Sequence, residues 1–147
     1  EIMNAIDEEK IVRVILILLS NSIKLYKEKG DICVEMRRED EEVVIKVTDN
    51  GIGINEDMKE KIFDKFKRVQ SVSNLNVDHE GSGLGLYIAK GFIELHNGSI
   101  SVVSEVEKGS TFIITIPIVI IKNDLHNINH MDEDELNRII KIELSDL

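Results

Sequence analysis

The sequence predicts an α+β fold: a two-layer α/β sandwich in which about three helices lie on one face of a mixed, mainly antiparallel sheet. Apolar residues recur at helical spacing near the start and in the middle of the chain, and four other segments alternate apolar and polar residues in two hairpin-like pairs. The length of 147 residues suits one domain, which would bury about 70% of its unfolded surface.

The first element is a long helix. Asp7 is a good N-cap, Glu8 and Glu9 favour the first turn, and the pattern ends near Gly30. The apolar positions with helical spacing are Ile11, Val14, Ile15, Leu18, Leu19 and Ile23. The longest nearly apolar run, residues 11–19, is interrupted by Arg13 and is far shorter than the ~20 residues that cross a bilayer, so it predicts no membrane span.

Two strands follow in a hairpin. Residues 32–36 and 43–47 alternate apolar and polar side chains, and the acidic stretch 39–42 makes the turn between them. The second strand runs directly into Asp49-Asn50-Gly51-Ile52-Gly53-Ile54, where two glycines allow backbone geometry that side chains forbid.

The middle of the chain predicts a short helix, a long loop and a third helix. The short helix begins after Asn55 and includes Phe63, and residues 69–80 have neither helical nor strand periodicity. Such a long loop inside a small domain is usually functional. It leads into a glycine-rich turn at 81–86 and a helix that extends to Leu95.

The last two strands are expected at 99–104 and 111–117, with Pro117 at the end of the sheet. Residues 1–121 therefore form the predicted domain, and residues 122–147 form an acidic tail. The end of the tail, 135–147, fits a helix and a strand equally well, so the tail could dock on the domain in either form or extend from it without docking.

Composition excludes several function classes. The net charge of −10 repels nucleic-acid phosphates, and aromatic residues make up only 4% of the chain with no Trp, so stacking surfaces for bases are scarce. A single cysteine excludes a disulfide framework and favours a reducing compartment.

Two glycine loops and three polar residues indicate chemistry. The turn at 81–86 precedes a helix and could present backbone N–H groups to phosphate, although a plain helix-start turn explains it equally well. Asp49 could accept a purine amino group, or simply belong to a turn. Asn21 lies in an apolar helix, one turn before Lys24; it is either a satisfied core amide or an oxygen ligand for magnesium.

Five segments in a fixed order resemble the N, G1, F and G2 boxes and the closing hairpin of the ATP-binding catalytic domain of bacterial sensor histidine kinases. They are LLSNSIK at 18–24, DNGIGI at 49–54, IFDKF at 62–66, GSGLGL at 81–86 and GSTFIITIP at 109–117. The resemblance covers about residues 7–118. It implies the Bergerat fold shared with gyrase B, Hsp90 and MutL, with ATP held between the helices under a flexible lid.

The resemblance also implies a role for each matching residue. Asn21 would bind Mg²⁺, Lys24 and Arg68 would contact the phosphates during transfer, and Asp49 would bind the adenine amino group. The implied ATP-contacting set comprises Asn21, Lys24, Asp49, Gly51, Gly53, Ile54, Phe63, Phe66, Arg68, Gly81, Ser82, Gly83, Leu84, Gly85, Leu86 and Thr111. Of these, the two phenylalanines match the box that anchors the lid.

Two positions depart from the family pattern. Ile17 stands one helical turn before Asn21, where hydrolysing relatives and serine kinases of this fold have a glutamate and histidine kinases commonly have a second Asn. An aliphatic side chain cannot take a proton, so hydrolysis and serine phosphorylation are disfavoured. Leu25 stands where an aromatic residue often lies near the nucleotide.

The predicted function is therefore to bind Mg–ATP and donate its γ-phosphoryl group to a histidine on a dimerisation domain upstream. None of the four His residues has the expected phosphoacceptor context. The resemblance implies two-component signalling, with a response regulator downstream, and a cytoplasmic domain of a membrane-attached protein. The alternatives are an ATP hydrolase or serine kinase of the same fold, and a docking module that binds no nucleotide.

Overall fold

The computed structural model describes residues 6–24, 30–66 and 83–118. They form the following elements: α1 (Glu8–Lys24), β1 (Ile32–Glu39), β2 (Glu42–Asp49), α2 (Glu56–Lys59), a 3₁₀ turn (Lys61–Phe63), α3 (Gly85–Leu95), β3 (Ser99–Glu105) and β4 (Gly109–Pro117). This order confirms the predicted α+β class. The predicted domain end at 121 and the tail 122–147 lie outside the described residues.

Helix α1 begins where the sequence predicts. The carbonyl of Asp7 accepts the N–H of Ile11 at 3.1 Å, and its carboxylate accepts the N–H of Lys10 at 3.2 Å. The Lys10 side chain also bonds this carboxylate and lowers the pKa of Asp7. Neither α1 nor any other helix within 6–24, 30–66 and 83–118 is long and apolar enough to cross a membrane.

The four described strands form one sheet in the order β1-β2-β4-β3. All three pairings are antiparallel, so the predicted mixed sheet has no parallel pair in the part of the chain that the structure describes. The β1–β2 turn consists of Asp40 and Glu41, and Asp40 adopts a φ of 52°. The predicted strands 99–104 and 111–117 are observed as Ser99–Glu105 and Gly109–Pro117, so both extend further toward the turn between them.

One face of the sheet packs against the helices. Ile45, Val47 and Asp49 of β2 lie on this face, and Ile114, Phe112 and Ser110 of β4 are their cross-strand partners. The remaining core side chains come from α1, the 3₁₀ turn and α3, chiefly Val14, Leu18, Ile62, Phe63, Ala89 and Ile93. The register therefore places Asp49 at the end of a buried row.

The predicted second helix is shorter than expected. It is divided into the four-residue α2 and the 3₁₀ turn that follows. No residue of α2 is buried, and only Met58 packs against the core from its edge. Burial begins at Ile62 and Phe63, and the Phe63 ring meets Phe112 edge to face at 6.4 Å. Packing therefore favours the turn over a longer helix.

His96 connects the end of α3 to the start of α1. It is 7% exposed; its Nε2 accepts the N–H of Asp7 at 3.0 Å, while Nδ1 lies 2.6 Å from the carbonyl of Phe92. Both contacts are satisfied by the neutral ring with its proton on Nδ1.

We expect His96→Ala to lower the free energy of unfolding by about 1–3 kcal/mol, because both backbone groups lose a buried partner. Urea denaturation measures this loss. Glu94→Ala, at an exposed position of the same helix, should change stability by less than about 0.5 kcal/mol. Equal effects of the two substitutions would contradict the bridging role of His96.

Candidate nucleotide-binding site

Asp49 is a buried carboxylate at the end of β2, with only 4% of the residue exposed. Its Oδ1 accepts the N–H of Gly51 at 2.9 Å, and its Oδ2 accepts the hydroxyl of Ser22 at 3.2 Å. Two donors from different elements thus hold the carboxylate. Each oxygen retains a lone pair that could accept a further N–H group.

The loop after Asp49 is fixed against the β3–β4 turn. Gly53 has a φ of +71°, and a Cβ there would lie 2.1 Å from the carbonyl oxygen of Glu105. The N–H of Glu107 donates to the carbonyl of Ile52 at 2.8 Å, and the N–H of Ile54 donates to the Ser104 hydroxyl at 2.8 Å. Ile54 is 2% exposed. These contacts hold the backbone of the loop 52–54 in place beside Asp49.

Ser104 and Ser110 continue the row of side chains from Asp49 across the sheet. Asp49 pairs with Ser110, and Ser110 pairs with Ser104. The two hydroxyls are 2.8 Å apart, and Ser104 also bonds the carbonyl of Gly109 at 2.8 Å. Sequence reasoning missed both serines. The available signal was that each takes a position where alternation along its strand predicts an apolar, buried side chain.

Thr111 does not lie on the same face of the sheet as Asp49. It pairs with Thr48, and their hydroxyls lie 3.1 Å apart. Because neighbours along a strand point to opposite faces, Thr48 and Thr111 lie on the face away from the helices. At this end of β4, the structure brings Ser110 to the row of Asp49 instead.

Asn21 and Lys24 lie in the last turn and a half of α1 and are both partly buried. The Nδ2 atom of Asn21 is buried and has no hydrogen-bond partner in the described part of the chain. A buried amide without a partner is costly in a purely structural role, so Asn21 is a candidate ligand-binding residue. Asn21 directly precedes Ser22, whose hydroxyl donates to Asp49, so two neighbouring residues of α1 carry the buried amide and a contact to the carboxylate.

The two phenylalanines of the predicted F box have different environments. Phe63 lies in the core, whereas Phe66 is 68% exposed and has a φ of 61°. The N–H of Phe66 donates to the carbonyl of Gly83 at 3.0 Å. This bond joins the two described residues on either side of 67–82. That range, which includes Arg68, Gly81 and Ser82, lies outside the described residues.

The second glycine-rich motif begins α3. Gly83 has a φ of +70°, Leu84 precedes the helix, and Gly85 is its first residue, followed by Leu86. The N-terminus of this 11-residue helix is an electrostatically favourable place for an anion. Helix α1, which carries Asn21, contacts both α3 with Gly85 and β2 with Asp49.

The side chain of Ile17, in α1, lies against the start of α3. It is 8% exposed, and a Cβ added to Gly85 would lie 3.2 Å from its Cγ2 atom. Glycine therefore allows α3 to begin close to α1. The position at which the family resemblance implies a proton acceptor in hydrolysing members is thus occupied by a packed aliphatic side chain.

The described residues thus provide a buried carboxylate, a buried amide nitrogen without a partner among them, a basic side chain and a helix N-terminus. Residues 6–120 match the family described as histidine kinase-, DNA gyrase B- and HSP90-like ATPases. The chain belongs to this family. ATP binding is the property that the family name implies, and the sheet with its layer of helices is the Bergerat fold of histidine kinase catalytic domains.

Proteins similar to this chain include a sensor protein and a sensor histidine kinase. The chain is 41% identical to the sensor protein RprX of Bacteroides fragilis over 120 residues, which make up 80% of this chain and 22% of RprX. A mycobacterial sensor histidine kinase, MprB, has a solved structure with a TM-score of 0.66, 28% identity, and coverage of 76% and 74% of the two chains.

A full-length ShkA solved in complex with AMPPNP also has a TM-score of 0.66, with 27% identity and coverage of 78% of this chain and 23% of ShkA. Against curated relatives such as RprX and the circadian kinase CikA of Synechococcus elongatus, the chain spans between 14% and 22% of their length. It thus corresponds to one part of those proteins.

Proposed function

We propose that this chain binds Mg–ATP and presents the γ-phosphoryl group to a histidine of an upstream dimerisation domain, as the catalytic domain of a sensor histidine kinase. The observation that carries the proposal is the buried carboxylate of Asp49, which accepts two hydrogen bonds and lies beside the loop 50–54. This arrangement suits the amino group of adenine. The names of CikA and MprB, two histidine kinases to which this chain is similar, support the same reaction.

Asn21 fits a magnesium ion. Its buried Nδ2 has no partner among the described residues, and a half-turn of the amide presents Oδ1 at the same place. Mg²⁺ prefers oxygen ligands and is usually held by one or two protein groups together with substrate phosphates. When bound, the ion would neutralise charge on the transferring phosphoryl group. Lys24, three residues further along α1, would supply a second positive charge.

The remaining contacts divide between the two ends of the nucleotide. Gly51, Gly53 and Ile54 would lie against the base, and the N–H groups at Gly83–Leu86 would face the phosphates. Phe63 would support this arrangement from the core. Arg68, Gly81 and Ser82 stay proposals from the family resemblance, as does contact of Phe66 or Thr111 with nucleotide.

Transfer to an imidazole needs no proton acceptor from this chain. The imidazole nitrogen attacks the γ-phosphorus, the bond to the β–γ bridging oxygen breaks, and ADP leaves. Positioning and charge neutralisation are the contributions of the ATP-binding domain. Partner proposals follow: a response regulator would receive the phosphoryl group, and the full-length protein would be membrane-attached with this domain in the cytoplasm.

We expect the isolated chain to release ADP from Mg–ATP at no more than the rate of uncatalysed hydrolysis, because Ile17 cannot activate water. A coupled ADP assay with the folded chain measures this rate. Steady turnover would support the alternative of an ATP hydrolase, which neither Ile17 nor the names of the relatives favour.

The proposed transfer is tested with the full-length protein that contains this domain. Incubation with Mg–ATP labelled at the γ-phosphate should yield protein-bound label that is lost in acid and retained in base, as expected of phosphohistidine. Asn21→Ala should reduce the labelling at least about tenfold, whereas Ser20→Ala on the same helix should retain it. Acid-stable label, or none in a folded protein that binds ATP, would contradict the proposal.

A further inference from the structure

Ser22, in α1, contacts the carboxylate of Asp49 and is fully buried, with 0% exposure. Its hydroxyl donates to Oδ2 of Asp49 at 3.2 Å, across 27 residues of sequence. We infer that Ser22 is a positioning residue, which orients the Asp49 carboxylate toward the 6-amino group of adenine. This inference rests on the proposed function, since it assigns Ser22 a part in selecting the base.

The geometry of the two donors carries the inference. The N–H of Gly51 donates to Oδ1 from the loop and the Ser22 hydroxyl donates to Oδ2 from the helix, so a quarter-turn of the carboxylate about the Cβ–Cγ bond would break both hydrogen bonds. A carboxylate offers about four acceptor positions. With one position of each oxygen occupied by the protein, the remaining ones point away from the two donors and can accept an amino group.

The neighbouring buried residues on the same face of α1 are apolar, so packing against the sheet does not by itself require a hydroxyl at Ser22. Ser22 follows Leu18 by one turn and faces the sheet with Val14 and Leu18, which are both apolar and fully buried. A buried hydroxyl without a partner is unfavourable, and Asp49 is the partner that Ser22 has among the described residues. The pair therefore depends on both members.

The bond also connects the two halves of the site. Ser22 follows Asn21 on α1, so the helix that would hold the metal at the phosphate end also holds the carboxylate at the adenine end. Loss of the hydroxyl would leave the metal side unchanged and free the carboxylate to turn. The effect should therefore appear in base selection rather than in phosphate binding.

The test compares two ligands in three proteins by NMR titration in the presence of Mg²⁺. ADP carries the 6-amino group, and purine riboside 5′-diphosphate has hydrogen in its place. For Ser22→Ala we expect the Kd of ADP to rise about tenfold and the Kd of the deamino analogue to change less than about twofold. Ser20→Ala, a partly buried position of the same helix, should leave both values unchanged.

Each other result has a distinct meaning. Equal weakening of both ligands in Ser22→Ala would overturn the inference, because it would show a general structural role; unchanged ADP binding would also overturn it. If the folded wild-type protein binds neither ligand, the proposed function itself fails and the role of Ser22 fails with it. Circular dichroism and thermal melting of each variant establish that the comparison is made on folded protein.

Discussion

Replacing Gly109 by alanine is expected to destabilise the protein by about 3 kcal/mol or more. Gly109 has a φ of +109°, a backbone conformation that side chains disfavour. A Cβ at this position would lie 2.0 Å from the carbonyl oxygen of Asp49 and 2.7 Å from the Cα of Asn50. Both are backbone atoms, so the ends of β2 and β4 would have to separate.

Urea denaturation monitored by circular dichroism measures the change. Nucleotide binding should be lost with it, because the displaced backbone is that of Asp49 itself. Gly91→Ala is the matched control: a Cβ there meets nothing within 4 Å, and alanine is favoured over glycine inside a helix by about 0.5–1 kcal/mol. A Gly109→Ala variant as stable as wild type would contradict the close approach of the two strands.

Asp49→Asn is expected to weaken the binding of adenine nucleotides ten- to a hundredfold. The substitution keeps the shape of the side chain but removes its charge, and a hydrogen bond to a charged group contributes about 1.5–3 kcal/mol. The amide also turns one acceptor atom into a donor. Ser22 and Gly51, which both donate to the carboxylate, would then compete for one oxygen.

Isothermal calorimetry with ADP and Mg²⁺ measures this loss. Asp57→Asn is a suitable control, since Asp57 lies exposed in α2, outside the row of polar residues around Asp49. Equal affinities of wild type and Asp49→Asn would mean that Asp49 is a turn residue. The adenine end of the site would then lie elsewhere.

The sequence predicts the elements whose periodicity is long and regular. Helix α1 and the two hairpins follow from the spacing of apolar residues, from Asp7 and from the charged turns between the strands. The placement of Asp49 at the end of a buried strand also follows from alternation along β2. Asn21 is predictable as an amide within an apolar helix, whereas only the three-dimensional structure shows that its Nδ2 has no partner among the described residues.

Contacts between distant segments could not be predicted in this way. The hydrogen bond between Ser22 and Asp49 depends on how α1 crosses the sheet, which no local pattern specifies. Ser110 and Thr111 are neighbours of similar chemistry, and only the pairing with β2 decides which one shares a face with Asp49. Similarly, the separation of Phe63 from Phe66 follows from the backbone turn at Phe66, which has a positive φ.

Direct titration of the folded chain with a non-hydrolysable ATP analogue and Mg²⁺ tests the central claim most directly. We predict saturable one-to-one binding that is weaker for the corresponding GTP analogue, because guanine presents a carbonyl where Asp49 needs a donor. Binding should also be weaker without Mg²⁺, through Asn21. A folded chain that binds no analogue would contradict the claim and favour a docking module that binds no nucleotide.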